Sequence, residues 1–213
     1  DSKGPKGLSF LLVPLDQEGI DIRPIKQITG DEEFNETFFD GAVTSEENIV
    51  GGVGNGWRVA MGLLAFERGV GTLGQLMAFT QEFETMVAKA KETGADQDPL
   101  IRQRIGEAYS GLKVMRYSSL RMLSESDNSS LRPAALTYKL YWSTWHKKFT
   151  ELALDVCGLA GCTADGPEYI FEELPWRYLN ARADSIYGGT NQIQRNIVSE
   201  QALGMPRQPR GRH

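Results

Sequence analysis

Glu67 is the residue whose type and spacing most directly suggest a catalytic role, that of a proton acceptor. One face of its predicted helix carries, at helical spacing, Ala60, Leu63 or Leu64, Glu67 and Gly71. A carboxyl group among small and apolar neighbours has a raised pKa, because loss of water disfavours its charged form. Such a group suits proton abstraction near neutral pH. The position equally fits a glutamate that pairs with a basic neighbour or faces solvent, and spacing alone leaves both interpretations open.

The elements that precede this helix are predicted to be β-strands. Residues 7–50 contain short apolar or alternating runs separated by turn residues, which predict three or four short strands. So few strands leave their edges unpaired, and they therefore indicate part of a larger sheet or barrel. The glycine-rich segment 51–56 predicts a linker and helix entry, because it lacks the Lys-Ser/Thr pair of a P-loop.

From residue 57 onwards the sequence is helical in character. Apolar spacing and the Asp98-Pro99 start signal predict helices over residues 57–91, 98–124, 133–159 and 191–203, with a shorter or irregular stretch around Pro175. Three long helices and a shorter one describe an antiparallel four-helix bundle. We therefore expect a mainly α chain. Its predicted parts are residues 1–51 as the end of a β domain, 52–206 as a helical-bundle domain and 207–213 as a mobile basic tail.

Composition and charge exclude several classes of protein. A net charge of −5 over 213 residues gives no reason to expect nucleic acid as a partner. No run of 18 apolar residues is present, so no membrane span is predicted, and the first residues do not read as a signal peptide. Cys157 and Cys162 show neither zinc nor disulfide spacing. We expect both to be small core residues in a reducing cytoplasm.

Several segments, in the expected order, closely resemble the acyl-CoA dehydrogenase family. They are residues 7–20, 54–57 leading into 66–68, 186–196 and 202–207. The family fold implied by the resemblance is an N-terminal helical domain, a β domain and a C-terminal four-helix bundle. This sequence resembles the end of that β domain and the bundle.

The reaction implied by the resemblance is FAD-dependent α,β-dehydrogenation of an acyl-CoA thioester. It requires a base for the α-hydrogen, and the flavin carries the redox step. The protein supplies placement and excludes water. The resemblance also implies electron-transfer flavoprotein as the electron acceptor. It further implies a dimer or tetramer, because the FAD site of the family is shared between subunits.

The resemblance also bears on the identity of the base. Many family members carry it between the tyrosine and the glycine of the terminal motif, where this sequence has Gly188. A smaller group has glycine there and a glutamate directly before an arginine on the first bundle helix, which Glu67 and Arg68 match. We therefore expect Glu67 to be the base. Arg68 is expected either to position the CoA end of the substrate or to form a salt bridge.

Further site residues follow from the same terminal motif. Thr190 and Gln192 match family positions that contact FAD, although either could instead cap the last helix. Gly189 allows close approach of the backbone to a ligand. Tyr187 is expected either to line the acyl pocket, with Gly188, or to pack beside the flavin.

Other segments add weaker expectations. Gly161 stands where the family contacts the ADP part of FAD. Arg102 or Arg104 could supply charge for the pyrophosphate or lie on a solvated helix face. Glycines at positions 69, 71 and 74 fit either a long or bulky acyl chain or close helix packing.

Three hypotheses follow for the whole chain. It is part of an active acyl-CoA dehydrogenase that uses Glu67, or a non-catalytic or partner-dependent subunit of a heteromeric one. The third hypothesis is a helical bundle without a ligand, since a fold alone does not fix function.

Overall fold

The computed structural model describes residues 4–70, 72–124, 133–163 and 172–207, without the side chains of residues 65–70, 72, 124, 133 and 134. The chain forms two compact units, Asp1–Val70 and Gly71–His213. The expected polar loop at residues 126–130, most of the loop at 163–166 and the tail beyond residue 207 lie outside the described residues.

The first unit contains two antiparallel β-ribbons. Strand β1 (Phe10–Leu11) pairs with β4 (Ile49–Val50), and β2 (Ile20–Ile25) pairs with β3 (Phe34–Phe39). The prediction of three or four short strands is confirmed. Several apolar side chains of β2 and β3 are exposed, as expected for strands too few to bury a core: Ile22, Ile25, Phe34, Phe38 and Phe39.

The glycine-rich segment 51–56 brings the start of the first helix into contact with residues 8 and 9, next to β1. Helix α1 (Gly56–Val70) begins where the amide of Gly56 donates to the Leu8 carbonyl at 2.8 Å. A Cβ atom on Gly56 would lie 2.4 Å from the carbonyl carbon of Ser9, so only glycine permits this approach. The amide of Gly54 donates to Ser9 Oγ at 3.0 Å. The segment is therefore a helix entry, as predicted.

The second unit is a helical bundle organised around its third long helix. Its elements are α2 (Thr72–Thr93), α3 (Pro99–Ser124), α4 (Pro133–Cys157), α5 (Glu173–Asn180) and α6 (Asn191–Ile197). Helix α4 packs against each of the other four. The mainly α fold is confirmed. The single helix expected over residues 57–91 is described instead as α1 and α2, with residue 71 between them outside the described residues.

Capping explains where the predicted helices begin. Asp98 Oδ1 accepts from the Leu100 amide at 2.7 Å, and Pro99 fills the first helical position of α3. Helix α6 differs at its C-terminal end, where it continues into one wider π-type turn, Val198–Ala202.

The bundle core lies between α2, α3 and α4. Its buried aromatic residues are Phe79, Tyr138, Trp142, Trp145 and Phe149, and the rings of Trp145 and Phe149 stack with centroids 4.9 Å apart. Gly111 of α3 lies directly under Trp145, whose Nε1 donates to the Ala108 carbonyl at 3.0 Å. Helix α4 therefore supplies most of the core aromatics.

One prediction about the cysteines is wrong. Cys157 is buried, but Cys162 is exposed, and both are free thiols. The segment Gly158–Cys162 forms a 3-10 helix after α4 ends, so Cys162 no longer follows the phase of the helix that buries Cys157. Within the described residues, no helix has the length and apolarity needed to cross a membrane.

Candidate active site

The terminal glycine turn of the second unit gathers most of the predicted ligand-binding residues. Gly188 and Gly189 have φ angles of 62° and 93°, a left-handed conformation that side chains disfavour. The Lys139 ammonium group of α4 donates to the carbonyl of Gly189 at 2.8 Å and to that of Asp184 at 2.7 Å. Burial lowers the pKa of Lys139, and the charge of Asp184 partly offsets this shift. The lysine thus fixes both ends of the turn to the bundle.

Gln194 holds the turn from its C-terminal side. Its buried amide donates to the Gly188 carbonyl at 3.1 Å. A Cβ atom on Gly189 would lie 2.8 Å from Gln194 Nε2. The glycine at 189, which the sequence suggested for approach to a ligand, is therefore also required by this packing.

Thr190 caps α6. Its Oγ1 accepts from the Ile193 amide at 3.2 Å, and the next side chain, Asn191, accepts from Ser143 of α4 at 2.9 Å. The capping interpretation of Thr190 is confirmed. The hydroxyl proton of Thr190 has no acceptor in the described part of the chain, and Gln192 beside it is exposed. These two polar groups remain available to a ligand.

Tyr187 is anchored by its hydroxyl group at the start of the turn. The hydroxyl donates to Asp184 Oδ1 at 2.5 Å, while 44% of the residue stays exposed. Burial, together with the adjacent Asp184 carboxylate, raises the pKa of Tyr187 well above its ordinary value. The tyrosine is thus a fixed neutral side chain with a surface that a ligand can contact.

A buried charged network lies behind Tyr187. His146 Nδ1 is 2.6 Å from Asp184 Oδ2, and His146 Nε2 is 2.8 Å from Glu82 Oε2. The three side chains are at most 5% exposed. Arg177 of α5 approaches the second oxygen of Glu82 at 3.3 Å. The network links α2, α4, α5 and the 3-10 segment Ala183–Ser185, in which Asp184 lies.

Burial and hydrogen bonding act in opposite directions on His146. Burial by itself lowers the pKa of the imidazole, but its hydrogen bonds to Asp184 and Glu82, and their charges, outweigh this effect and raise the pKa above its ordinary value. Among the described residues, no cluster of His, Cys, Asp and Glu side chains is arranged to hold a metal ion. The contacts of the network join His146 and Arg177 to the carboxyl groups of Glu82 and Asp184.

Sequence reasoning missed this network. Glu82 and His146 lie on otherwise apolar helix faces, beside Phe79, Met86 and Phe149. A carboxylate on an apolar stripe was the signal that identified Glu67, and the same signal is present at Glu82. The partners are 64 and 38 residues from His146, so no local spacing connects them.

Other predicted site residues belong to other elements of the chain. Glu67 and Arg68 belong to α1 in the first unit, and their side chains lie outside the described residues. Gly161 is buried, and a Cβ atom there would lie 3.0 Å from the Leu154 carbonyl oxygen, so helix packing accounts for this glycine. Arg104 forms an exposed ion pair with Asp155 at 2.6 Å, which fits a solvated helix face.

The described bundle ends in a glycine turn and a threonine-capped helix. The family model described as "Acyl-CoA dehydrogenase, C-terminal domain" matches residues 54–203. The chain therefore belongs to the acyl-CoA dehydrogenase family.

Individual relatives support this assignment. The chain is 50% identical to acyl-CoA dehydrogenase IpdE1 of Mycolicibacterium smegmatis and 49% identical to IpdE1 of Mycobacterium tuberculosis. These alignments cover 99% and 96% of this chain but 52% of each relative, so the chain spans about half the length of the curated relatives it matches. The solved structure of the Tcur3481-Tcur3483 steroid ACAD superimposes with a TM-score of 0.85 at 25% identity, covering 98% of this chain and 54% of that chain.

Proposed function

We propose that this chain forms the C-terminal part of a FAD-dependent acyl-CoA dehydrogenase in which Glu67 is the base. The observation that carries the proposal is a combination within the matched region. The terminal turn has Gly188 where many family members have a carboxylate, and the Glu67-Arg68 pair matches the alternative location on α1. This combination favours a catalytic chain over a bundle without a ligand.

The proposed reaction converts a single bond into a double bond. The Glu67 carboxylate accepts the proton from the α-carbon of the acyl thioester, and the electron pair of that C–H bond forms the Cα=Cβ bond. FAD, when bound, supplies the acceptor for the hydride that leaves the β-carbon. Arg68 is proposed to position the CoA end of the substrate, so that the α-hydrogen stays near Glu67.

The residues of the terminal turn fit FAD. Thr190 keeps a hydroxyl proton to donate, and Gln192 offers an exposed amide that can both donate and accept. Gly188 has no neighbouring atom closer than 3.9 Å to the place a Cβ would take, which leaves room beside the backbone. We propose Thr190, Gln192 and Gly189 as the cofactor-facing surface, and Gly188 with Tyr187 as part of the acyl pocket. Gly161, from a neighbouring subunit, is proposed to lie near the ADP part.

A bulky acyl group is the proposed substrate class. The Tcur3481-Tcur3483 relative is a steroid ACAD, and among the described residues no atom lies within 4 Å of the place that a Cβ on Gly74 would take. Tyr187 presents an exposed aromatic ring, held by Asp184, that can pack against an apolar polycyclic acid. We therefore propose a CoA thioester of a steroid-derived acid as the substrate, and electron-transfer flavoprotein as the electron acceptor.

A partner-dependent role is the second candidate. The name of the steroid ACAD joins two proteins, Tcur3481 and Tcur3483. Since the FAD site of this family is shared between subunits, this chain is proposed to work in a homo- or hetero-oligomer. Flavin that is retained only after co-expression with a second, related chain would favour the heteromer.

The test of the base is the rate at which substrate bleaches the flavin of the anaerobic holoenzyme. Loss of a general base costs roughly 10²- to 10⁴-fold, so Glu67→Gln is expected to slow bleaching by that factor while FAD content stays normal. Glu84→Gln, which changes an exposed carboxylate on α2, is the matched control and is expected to bleach at the unaltered rate. Bleaching by Glu67→Gln at the rate of the control would place the base elsewhere.

A further inference from the structure

We propose that His146 is a positioning residue of the active site, held as an imidazolium ion between Glu82 and Asp184 so that Asp184 orients Tyr187. Its structural part stands on the described contacts alone. Its effect on substrate turnover rests on the proposed function, in which Tyr187 lines the acyl pocket.

The protonation state follows from the donor count. Both ring nitrogens of His146 lie within hydrogen-bond distance of a carboxylate oxygen, 2.6 Å from Asp184 and 2.8 Å from Glu82. A neutral imidazole carries one N–H, so with both carboxyl groups ionised one of these two contacts would join two acceptors. The imidazolium ion has two N–H groups and satisfies both.

The groups that face His146 balance its charge. Glu82 comes from α2 and Asp184 from the 3-10 segment, and the side chains of both are at most 5% exposed. Arg177 from α5 pairs with Glu82 at 3.3 Å. With His146 protonated, two carboxylates meet two cations, which is the condition under which buried charges persist. Lys139, also on α4, approaches the backbone carbonyl of Asp184.

Asp184 connects His146 to Tyr187 in the proposed active site. Its Oδ2 atom contacts His146, and its Oδ1 atom accepts the Tyr187 hydroxyl. Both oxygens of one carboxylate are thus used, and removal of the imidazolium leaves the carboxylate held by Tyr187 alone. Lys139 fixes the backbone of the same turn through the Asp184 and Gly189 carbonyls. We infer that the lysine fixes the path of the turn and the histidine fixes the ring of Tyr187.

The first test is the protonation state of His146 in the wild-type holoenzyme. Selective ¹⁵N-histidine labelling is followed by NMR at about pH 8, well above the ordinary histidine pKa of about 6.5. The His146 signals are assigned by their absence from a His146→Gln or His146→Asn sample. We expect a proton on both ring nitrogens at this pH. A single protonated nitrogen overturns the proposal, whatever the enzyme's activity.

The second test separates positioning from general structural support. His146→Gln is expected to lower kcat/KM roughly 10- to 100-fold, the range expected for loss of a hydrogen bond to a charged group, with FAD content retained. In a Tyr187→Phe background the same substitution is expected to cost less than about threefold, because the connection is already broken. Lys148→Gln, an exposed change on α4, is the matched control and is expected to leave kcat/KM unchanged.

The outcomes distinguish this proposal from the proposed function. Equal losses from His146→Gln with and without the Tyr187 hydroxyl would overturn the positioning role. NMR could show a doubly protonated His146 while the Glu67→Gln variant stays fully active. The proposal for His146 would then stand, and the assignment of Glu67 as the base would be rejected. Neither result depends on the other, because the NMR measurement requires no turnover.

Discussion

Gly111 of α3 is expected to be a site where a single methyl group destabilises the bundle. A Cβ atom built there would lie 2.3 Å from Cδ1 and 2.5 Å from Nε1 of Trp145. Carbon atoms in van der Waals contact are about 3.5–4.0 Å apart, so the indole would have to move by roughly 1.2 Å or more. Trp145 is held by its hydrogen bond to Ala108 and by the stacked ring of Phe149. Movement of the Trp145 indole would weaken these contacts and therefore destabilise the folded state.

The magnitude follows from two opposing effects of Gly111→Ala. Overpacking of a well-packed core costs about 1–3 kcal/mol. Replacement of a helix-interior glycine by alanine regains about 0.5–1 kcal/mol. We expect a net decrease of about 0–2.5 kcal/mol in the free energy of unfolding.

Gly106 provides the matched control for this prediction. It lies on the same helix, and nothing comes within 4 Å of a Cβ built there. Gly106→Ala is therefore expected to raise the free energy of unfolding by about 0.5–1 kcal/mol through helix propensity alone. Urea unfolding of both variants, followed by tryptophan fluorescence, measures the difference. A Gly111→Ala variant as stable as Gly106→Ala would refute the close packing of α3 against Trp145.

Three further predictions concern the terminal turn and its support. Thr190→Ala is expected to lower stability by about 0.5–2 kcal/mol through loss of the cap, whereas Thr190→Ser retains it, as thermal unfolding of the pair will show. Because the pKa of His146 is raised by folding, its protonation stabilises the native state fully below about pH 6.5 and less as pH rises through the folded-state pKa. The stability difference between wild type and His146→Gln in urea unfolding is therefore expected to shrink with rising pH, and a difference that grows would contradict the assignment. Lys139→Met removes two hydrogen bonds donated by a charged group. It is expected to lower the free energy of unfolding in urea by about 1.5–3 kcal/mol. A decrease below about 0.5 kcal/mol would contradict the anchoring role of Lys139.

Much of the fold could be predicted because its signals are local. Asp98 followed by Pro99 marks the start of α3, and Thr190 marks the start of α6, each through contacts within three residues. The strands likewise follow from short-range patterns. Cys162 shows the limit of such patterns, because the helical phase that buries Cys157 ends between the two residues.

The charged network could not be predicted because its contacts are long-range. Glu82, His146 and Asp184 come from three separate elements, and each is individually compatible with an exposed polar residue. The sequence does show that Glu82 interrupts an apolar stripe, but it does not identify the cation that makes its burial acceptable. The terminal motif pointed to ligand contacts at Gly189, and the structure adds that Gln194 packs against it. Residues of one turn thus serve both packing and the proposed site.

An acidic residue interrupts an apolar stripe of the sequence twice, at Glu67 and Glu82, and we propose a different role for each. Glu82 is a carboxylate on an apolar helix face that is neutralised by His146 and Arg177. In the sequence, Glu67 is the second acidic residue that interrupts a stripe of small and apolar positions, and we propose it as the proton acceptor of a chain whose terminal turn has Gly188. A pairing cation would hold a carboxylate in its charged form, whereas a base must accept and release a proton.

The most direct measurement of the central claim isolates the proton step from the redox step. An acyl-CoA thioester without hydrogen on its β-carbon cannot be dehydrogenated, but its α-hydrogen can still exchange with deuterium from solvent. In the wild-type holoenzyme in D₂O, mass spectrometry should show enzyme-dependent α-deuteration. Glu67→Gln should reduce its rate by roughly 10²-fold or more, while FAD remains bound. Exchange at the wild-type rate in Glu67→Gln would contradict the assignment of Glu67 as the base.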